Sequence, residues 1–124
     1  MMKKVKLVLI IDDDNRNIFA LRLALKSRGY QSLSCNSAKE GIALLDSNRD
    51  IEIVLMDMMM PDMDGYEAIQ VIKSSQIYGD IPVIAVTAQA MQGDREKCIE
   101  AGAREYVPKP INLDRLISII EQNC

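Results

Sequence analysis

A small set of polar side chains, each placed at or just after an apolar run, carries the chemistry available to this chain. These residues are Asp12, Asp13, Asp57, Thr87 and Lys109. The sequence contains no histidine, which excludes Ser-His and Cys-His nucleophile pairs and HExxH zinc sites. Clustered carboxylates need a cation or a proton between them, and an all-oxygen ligand set favours Mg²⁺. A carboxylate can also accept a phosphoryl group, which a lysine and a hydroxyl can bind, so the pattern predicts Mg²⁺-assisted phosphoryl transfer to Asp57.

The apolar runs that precede these residues are typical of buried β-strands. Four are rich in Val, Ile or Leu without polar alternation, as in strands covered on both faces of a parallel sheet. A fifth, weaker segment alternates as an edge strand does. In chain order the segments are Val5–Ile11, Gln31–Cys35, Ile51–Met56, Pro82–Val86 and Glu105–Val107.

A helix is predicted after each strand. The helix boundaries follow from capping residues, glycines and apolar stripes. They are a stripe that ends at Gly29, a capping box at Ser37–Glu40, a start at Asp64, a run from about Ala90 to Ala101 that stops at Gly102, and a cap at Asn112. Five strand–helix repeats predict an α/β fold with a doubly wound, five-stranded parallel sheet in the flavodoxin-like order 2-1-3-4-5.

This topology predicts where the polar residues meet. The carboxyl ends of parallel strands share one edge, and the first and third strands are neighbours, so Asp12, Asp13 and Asp57 should converge. A competing interpretation makes Asp13 or Asp14 only the N-cap of the following helix. The methionine-rich segment that begins at Met56 is not interpreted as a soft-metal site, because no Cys or His accompanies it, and Met56 and Met58 are interpreted as core residues.

Composition limits the remaining possibilities. A length of 124 residues with 48% hydrophobic residues suits one domain, 1–124, with a real core. A net charge of −3 argues against direct nucleic-acid binding. The apolar runs are shorter than the roughly 18 residues of a membrane span, and no cleavage site marks a signal peptide. Three separated cysteines fit neither a disulfide framework nor a CxxC motif, which favours a reducing cytoplasm.

Four motifs in this order carry a family resemblance: IIDDDNRN, IVLMDMMMPDMDGYE, VIAVTAQAM and REYVPKP. Together they resemble the receiver domains of two-component response regulators, from about Lys4 to Ile120. The segment AQAMQGDREKCIEAGA is similar to receivers of hybrid sensor kinases, so a single-domain regulator and a receiver from a larger protein both fit. The resemblance implies a phosphorylation-dependent switch that controls a partner protein.

The resemblance also implies roles for the acidic residues. Asp57 would accept the phosphoryl group from a phosphohistidine on a histidine kinase or phosphotransfer protein. Asp12 and Asp13 would hold Mg²⁺, with Asp57 and the main-chain carbonyl of Met59 as further ligands. The protein would catalyse its own phosphorylation and slow dephosphorylation without turning over an external substrate.

The same family pattern assigns the remaining positions. Thr87 and Tyr106 match the switch pair, which would change the surface of the fourth helix, fifth strand and fifth helix. Lys109 matches the phosphate-binding lysine, and the bond from it to the next proline is often cis in the family. Met59 and Gln89, two residues after Asp57 and Thr87, occupy the positions that tune loss of the phosphoryl group.

Two other functions are compatible with the fold class. A flavin-binding electron carrier usually has a loop rich in Ser, Thr and Gly after the first strand, whereas Asp12 and Asp13 would repel a flavin phosphate there. A Mg²⁺-dependent phosphatase with an Asp nucleophile typically needs a second Asp two residues later, where this chain has Met59. Both remain alternatives to the receiver interpretation.

Overall fold

The computed structural model describes residues 6–60, 65–88 and 93–123. Five parallel strands form one sheet in the order β2-β1-β3-β4-β5. The strands are β1 (Leu7–Ile11), β2 (Gln31–Cys35), β3 (Ile51–Asp57), β4 (Val83–Thr87) and β5 (Glu105–Pro108). The predicted fold class and strand order are confirmed.

A helix follows each strand, as the repeating pattern predicts. The helices are α1 (Asn15–Ser27), α2 (Ala38–Ser47), α3 (Gly65–Lys73), α4 (Asp94–Ala101) and α5 (Leu113–Asn123). None of the helices in the described parts of the chain is long and apolar enough to cross a membrane. The predicted helix start at Asp64 and the first residues of the run from Ala90 lie outside the described residues.

The sheet is buried on both faces because successive strand side chains point to opposite sides. On one face, residues such as Leu9, Val54 and Ala85 pack with α2, α3 and α4. On the other face, residues such as Ile10 and Leu55 pack with α1 and α5. This two-sided burial explains the unbroken apolar runs of the central strands.

Local capping fixes where the helices begin. The side chain of Asp14 accepts a hydrogen bond from the Arg16 N–H at 2.9 Å, so Asp14 is the N-cap of α1. Ser37 caps α2 as the capping box predicts, accepting from the Glu40 N–H at 3.1 Å. Asn112 likewise accepts a hydrogen bond from the N–H of the first turn of α5. These side chains satisfy N–H groups that the helix itself leaves unpaired.

Glycines end two of the helices. Arg28 occupies the C-cap of α1, one residue before the predicted position, and Gly29 follows with φ +88°. The N–H groups of Gly29 and Tyr30 then bond the carbonyls of Lys26 and Leu25, both at 3.0 Å. Gly102 ends α4 with φ +119°, as predicted. Glycine suits both positions because a Cβ is disfavoured at positive φ.

Candidate functional site

The carboxyl ends of four strands form the candidate site. Asp12 directly follows β1, Asp57 and Thr87 are the last residues of β3 and β4, and Lys109 directly follows β5. Backbone bonds join these ends: the Lys109 N–H donates to the Thr87 carbonyl at 2.8 Å, and the N–H after Asp57 donates to β4 at 2.8 Å. The parallel sheet therefore brings together residues that lie far apart in the sequence, as predicted.

The acidic residues converge at this edge. One carboxylate oxygen from each of Asp12, Asp13 and Asp57 lies within 4.8 Å of the other two. Asp12 and Asp57 are buried, whereas Asp13 is exposed. Hard carboxylate oxygens in a half-open cluster match the preference of Mg²⁺, which keeps several waters and takes few protein ligands. The cluster could therefore hold a divalent metal ion.

Burial and charge together act on Asp12. Burial raises the pKa of this carboxyl above its usual value, and the neighbouring charge of Asp57 acts in the same direction. The N–H of Asp14, which donates to Asp12 at 2.9 Å, and the ammonium of Lys109 oppose this shift. The carboxylates of Asp12 and Asp57 are thus held close together against their mutual repulsion, which a bound cation would offset.

Lys109 supplies the positive charge of the site. Its Nζ lies 3.5 Å from Oδ1 of Asp57 and 3.7 Å from Oδ2 of Asp12, and its side chain is only 23% exposed. The bond between Lys109 and Pro110 is cis. The ammonium group therefore bridges the two buried carboxylates from the side of β5.

The loop after β3 brings Met59 beside the same carboxylate. The Met59 N–H donates to Oδ1 of Asp57 at 3.0 Å, and its Sδ lies 4.0 Å from Oγ1 of the buried Thr87. The Met59 side chain is 47% exposed, whereas Met56 is fully buried and Met58 partly buried in the core. The core interpretation thus holds for Met56 and, in part, for Met58, while Met59 lies at the entrance of the site.

Tyr106 lies beside the site on the edge strand β5. It is half-buried, pairs in register with Ala85 of β4, and packs against the apolar cluster on the α2–α4 face of the sheet. Tyr106 therefore shares a face of the sheet with α4, and the switch role that the resemblance implies for it stays a prediction. Gln89, the other predicted tuning residue, lies outside the described residues.

Asn36 is a residue near the site that the sequence interpretation did not identify. It follows β2, and its side-chain amide contacts the carbonyl of Asp12 at 3.2 Å and Oδ1 of Asn15 at 2.7 Å. Its position at the carboxyl end of a strand was the available signal. The weak pattern of β2 gave no reason to expect that its end reaches the acidic loop.

Known proteins resemble this chain over nearly its whole length. A family model described as a response regulator receiver domain matches residues 8–121. The polar-differentiation response regulator DivK of Brucella ovis is 34% identical over 116 residues, covering 94% of each chain. A receiver protein from Pseudomonas putida aligns with a TM-score of 0.88 at 26% identity, covering 98% of this chain and 99% of its own.

A further solved structure bears on the metal. The receiver domain of a sensor histidine kinase from Pseudomonas aeruginosa aligns with a TM-score of 0.87 at 30% identity, covering 97% of this chain and 98% of its own, and was crystallised with a magnesium ion in its active-site cleft. These relatives do not favour the flavin carrier or the phosphatase. The chain belongs to the receiver domains of two-component response regulators, the phosphorylation-dependent switches of signal transduction.

Proposed function

We propose that Asp57 accepts a phosphoryl group from a phosphohistidine on a histidine kinase or a histidine phosphotransfer protein. One observation carries this assignment: Asp57 is a buried carboxylate that lies 3.5 Å from the ammonium of Lys109 and shares the acidic cluster with Asp12 and Asp13. The 124 residues contain no histidine, so the phosphohistidine must lie outside them.

Each neighbouring side chain has a role in this transfer. A carboxylate oxygen of Asp57 attacks the phosphorus as the bond from phosphorus to the imidazole nitrogen breaks, leaving histidine on the partner and an acyl phosphate on Asp57. Lys109 binds a phosphoryl oxygen with its ammonium, and the Thr87 hydroxyl donates to another. These side chains would act by positioning the phosphoryl group and stabilising its charge, because phosphoryl transfer requires little covalent chemistry from the protein.

Mg²⁺ is the metal that we propose for the acidic cluster. Asp12, Asp13, Asp57 and the main-chain carbonyl of Met59 would hold it, and the proximity of the three carboxylates supports this choice. When bound, Mg²⁺ would offset the charge that develops on the phosphoryl oxygens. The Pseudomonas aeruginosa receiver with magnesium in its cleft provides further support.

We also propose how the phosphoryl group is sensed. Thr87 moves toward the phosphoryl oxygen, and Tyr106 then turns toward the space that Thr87 leaves. The surface of α4, β5 and α5 changes as a result and controls a downstream protein in the cytoplasm. The half-buried position of Tyr106 beside β4 supports this role.

The nucleophile is tested with acetyl phosphate and Mg²⁺, followed by intact mass measurement. We expect the wild-type protein to gain roughly 80 Da, the mass of one phosphoryl group. Asp57→Asn should abolish this gain, because an amide lacks the second oxygen that an acyl phosphate requires. Asp46→Asn, an exposed carboxylate on α2, is the matched control and should be phosphorylated as the wild type is.

Two outcomes would contradict the proposal. Equal phosphorylation of Asp57→Asn and the wild type would place the acceptor at another residue. Failure of the wild type to gain mass with either acetyl phosphate or a phosphorylated histidine phosphotransfer protein would argue against phosphoryl acceptance altogether.

A further inference from the structure

Residues at the end of β2 form hydrogen bonds with both main-chain polar groups of Asp12, its N–H and its carbonyl. The Asp12 N–H donates to the carbonyl of Cys35, the last residue of β2, at 3.1 Å. The Asp12 carbonyl accepts from Nδ2 of Asn36 at 3.2 Å. The backbone that carries the acidic pair is therefore fixed from the neighbouring strand as well as from β1.

Asn36 also reaches the first turn of α1. Its Nδ2 donates to Oδ1 of Asn15 at 2.7 Å, so one amide nitrogen joins the acidic loop to the helix that follows it. A main-chain carbonyl only accepts, and this requires the nitrogen of the Asn36 amide to face Asp12. An aspartate at position 36 could not donate these bonds.

The backbone on either side restricts where Asn36 can move. Cys35 is buried at the end of β2, and Ser37 is the N-cap of α2, where it accepts from the N–H of Glu40. Although Asn36 itself is exposed, both of its neighbours are therefore anchored. The Asn36 amide is therefore held next to the acidic loop by β2 and α2, neither of which contributes a carboxylate to the site.

We propose that Asn36 is a positioning residue that sets the Mg²⁺ affinity of the site by fixing the backbone of Asp12. This assignment rests on the proposed function, since it concerns the same acidic cluster. Repulsion between the clustered carboxylates favours an opened loop, and the bond from Asn36 opposes that opening. Groups that orient metal ligands in this way typically change metal affinity 10–100-fold when they are lost.

The test measures Mg²⁺ binding directly, by titration of the ¹⁵N-labelled protein with MgCl₂ without any phosphoryl donor. Asn36→Ala should weaken the affinity about tenfold. Asn15→Ala keeps the bond to Asp12 but removes the second acceptor, and it should weaken the affinity less. Gln31→Ala, an exposed residue of the same strand β2, is the matched control and should leave the affinity unchanged.

Two further measurements separate positioning from general destabilisation. With acetyl phosphate, Asn36→Ala should raise the Mg²⁺ concentration for half-maximal phosphorylation about tenfold, while the rate at saturating Mg²⁺ stays within about twofold. In the metal-free spectra, its amide shift changes should be confined to the acidic loop, the first turn of α1 and the end of β2. Changes spread across the sheet would instead indicate loss of structure and would overturn the proposal.

The remaining outcomes distinguish this inference from the proposed function. If the wild type binds Mg²⁺ and Asn36→Ala binds it equally well, only the role of Asn36 is wrong. If the wild type shows no Mg²⁺-dependent shifts in the acidic loop, the metal assignment fails and this inference fails with it. Phosphorylation of Asp57 would then be judged separately, by the mass measurement with Asp57→Asn.

Discussion

At the scale of single residues, Asp12 lies in a cluster of carboxylates whose burial and mutual repulsion lower the stability of the fold. Its pKa is raised mainly by burial, with Asp57 adding to the effect, so the charged form is disfavoured in the folded protein. Stability is therefore lost as pH rises through the folded pKa of Asp12, the reverse of an ion-paired aspartate. This sign follows because the folded state holds the proton more tightly than the unfolded state.

The first residue-scale prediction concerns Asp12→Asn. In metal-free buffer at neutral pH this variant should have a higher Tm than the wild type, because the amide removes the buried charge and still accepts from the Asp14 N–H. The difference should shrink at acidic pH, because the wild-type carboxyl gains its proton as the pH falls through its raised pKa. Thermal unfolding at both pH values checks this. A lower Tm at neutral pH would show that attraction to Lys109 outweighs the cost of burial and repulsion.

A second residue-scale prediction concerns the lifetime of the phosphoryl group. Met59 offers only a weak thioether acceptor, and Gln89 can bind a water without removing its proton. The double change Met59→Asn and Gln89→Glu should therefore accelerate loss of the phosphoryl group, and a tenfold change needs only about 1.4 kcal/mol of barrier. Decay of the phosphorylated mass in both proteins measures it. Equal lifetimes would show that these side chains do not control the attacking water.

At the scale of helices and strands, the two glycines at the ends of α1 and α4 offer a matched pair of variants. A Cβ at Gly29 would meet no atom within 4 Å. The only cost of Gly29→Ala is therefore the positive φ, which should lower the free energy of unfolding by about 1 kcal/mol. A Cβ at Gly102 would lie 2.8 Å from Cγ of Lys73. Lys73 cannot easily yield, since its Nζ donates to the carbonyls of Gly79 at 3.1 Å and Ile81 at 2.6 Å.

Gly102→Ala should therefore destabilise the protein more than Gly29→Ala, by roughly a further 1–2 kcal/mol. Denaturant unfolding of both variants measures the difference. Equal losses of stability would show that the backbone shifts away from Lys73 without cost, and that positive φ alone determines the penalty at both helix ends.

The elements also show what the sequence could predict. Helix starts at Ser37 and Asn112 and the helix end at Gly102 were predictable because capping depends on neighbouring residues only. The meeting of Asp12, Asp57 and Lys109 was predictable from topology, since the ends of parallel strands share an edge. These two rules account for most of the fold and for the central part of the site.

Side-chain contacts between loops were not predictable in this way. The contact of Asn36 with Asp12 depends on how closely two loops approach and on the rotamer of Asn36. The same holds for the Met59 thioether beside Thr87. A pattern within one short segment cannot predict either contact, because each contact joins residues from different strand–helix repeats.

At the scale of the whole molecule, phosphorylation should change a surface away from Asp57. When Thr87 and Tyr106 rearrange, amide NMR shifts of α4, β5 and α5 should change on treatment with acetyl phosphate and Mg²⁺. Tyr106→Ala should reduce the changes in α4 and α5 while leaving those around Asp57. Shift changes confined to the acidic loop in the wild type would contradict the proposed switch.

The strand order has a consequence for how the protein is made. The carboxylates of Asp12 and Asp57 come together as soon as β1 and β3 pair, but Lys109 arrives only with the last strand of the sheet. In a chain still emerging from the ribosome, or in a copy misfolded at β5, the ammonium that we propose binds the phosphoryl group would not be in place. We therefore expect competence for phosphoryl transfer to require that β5 has paired with β4.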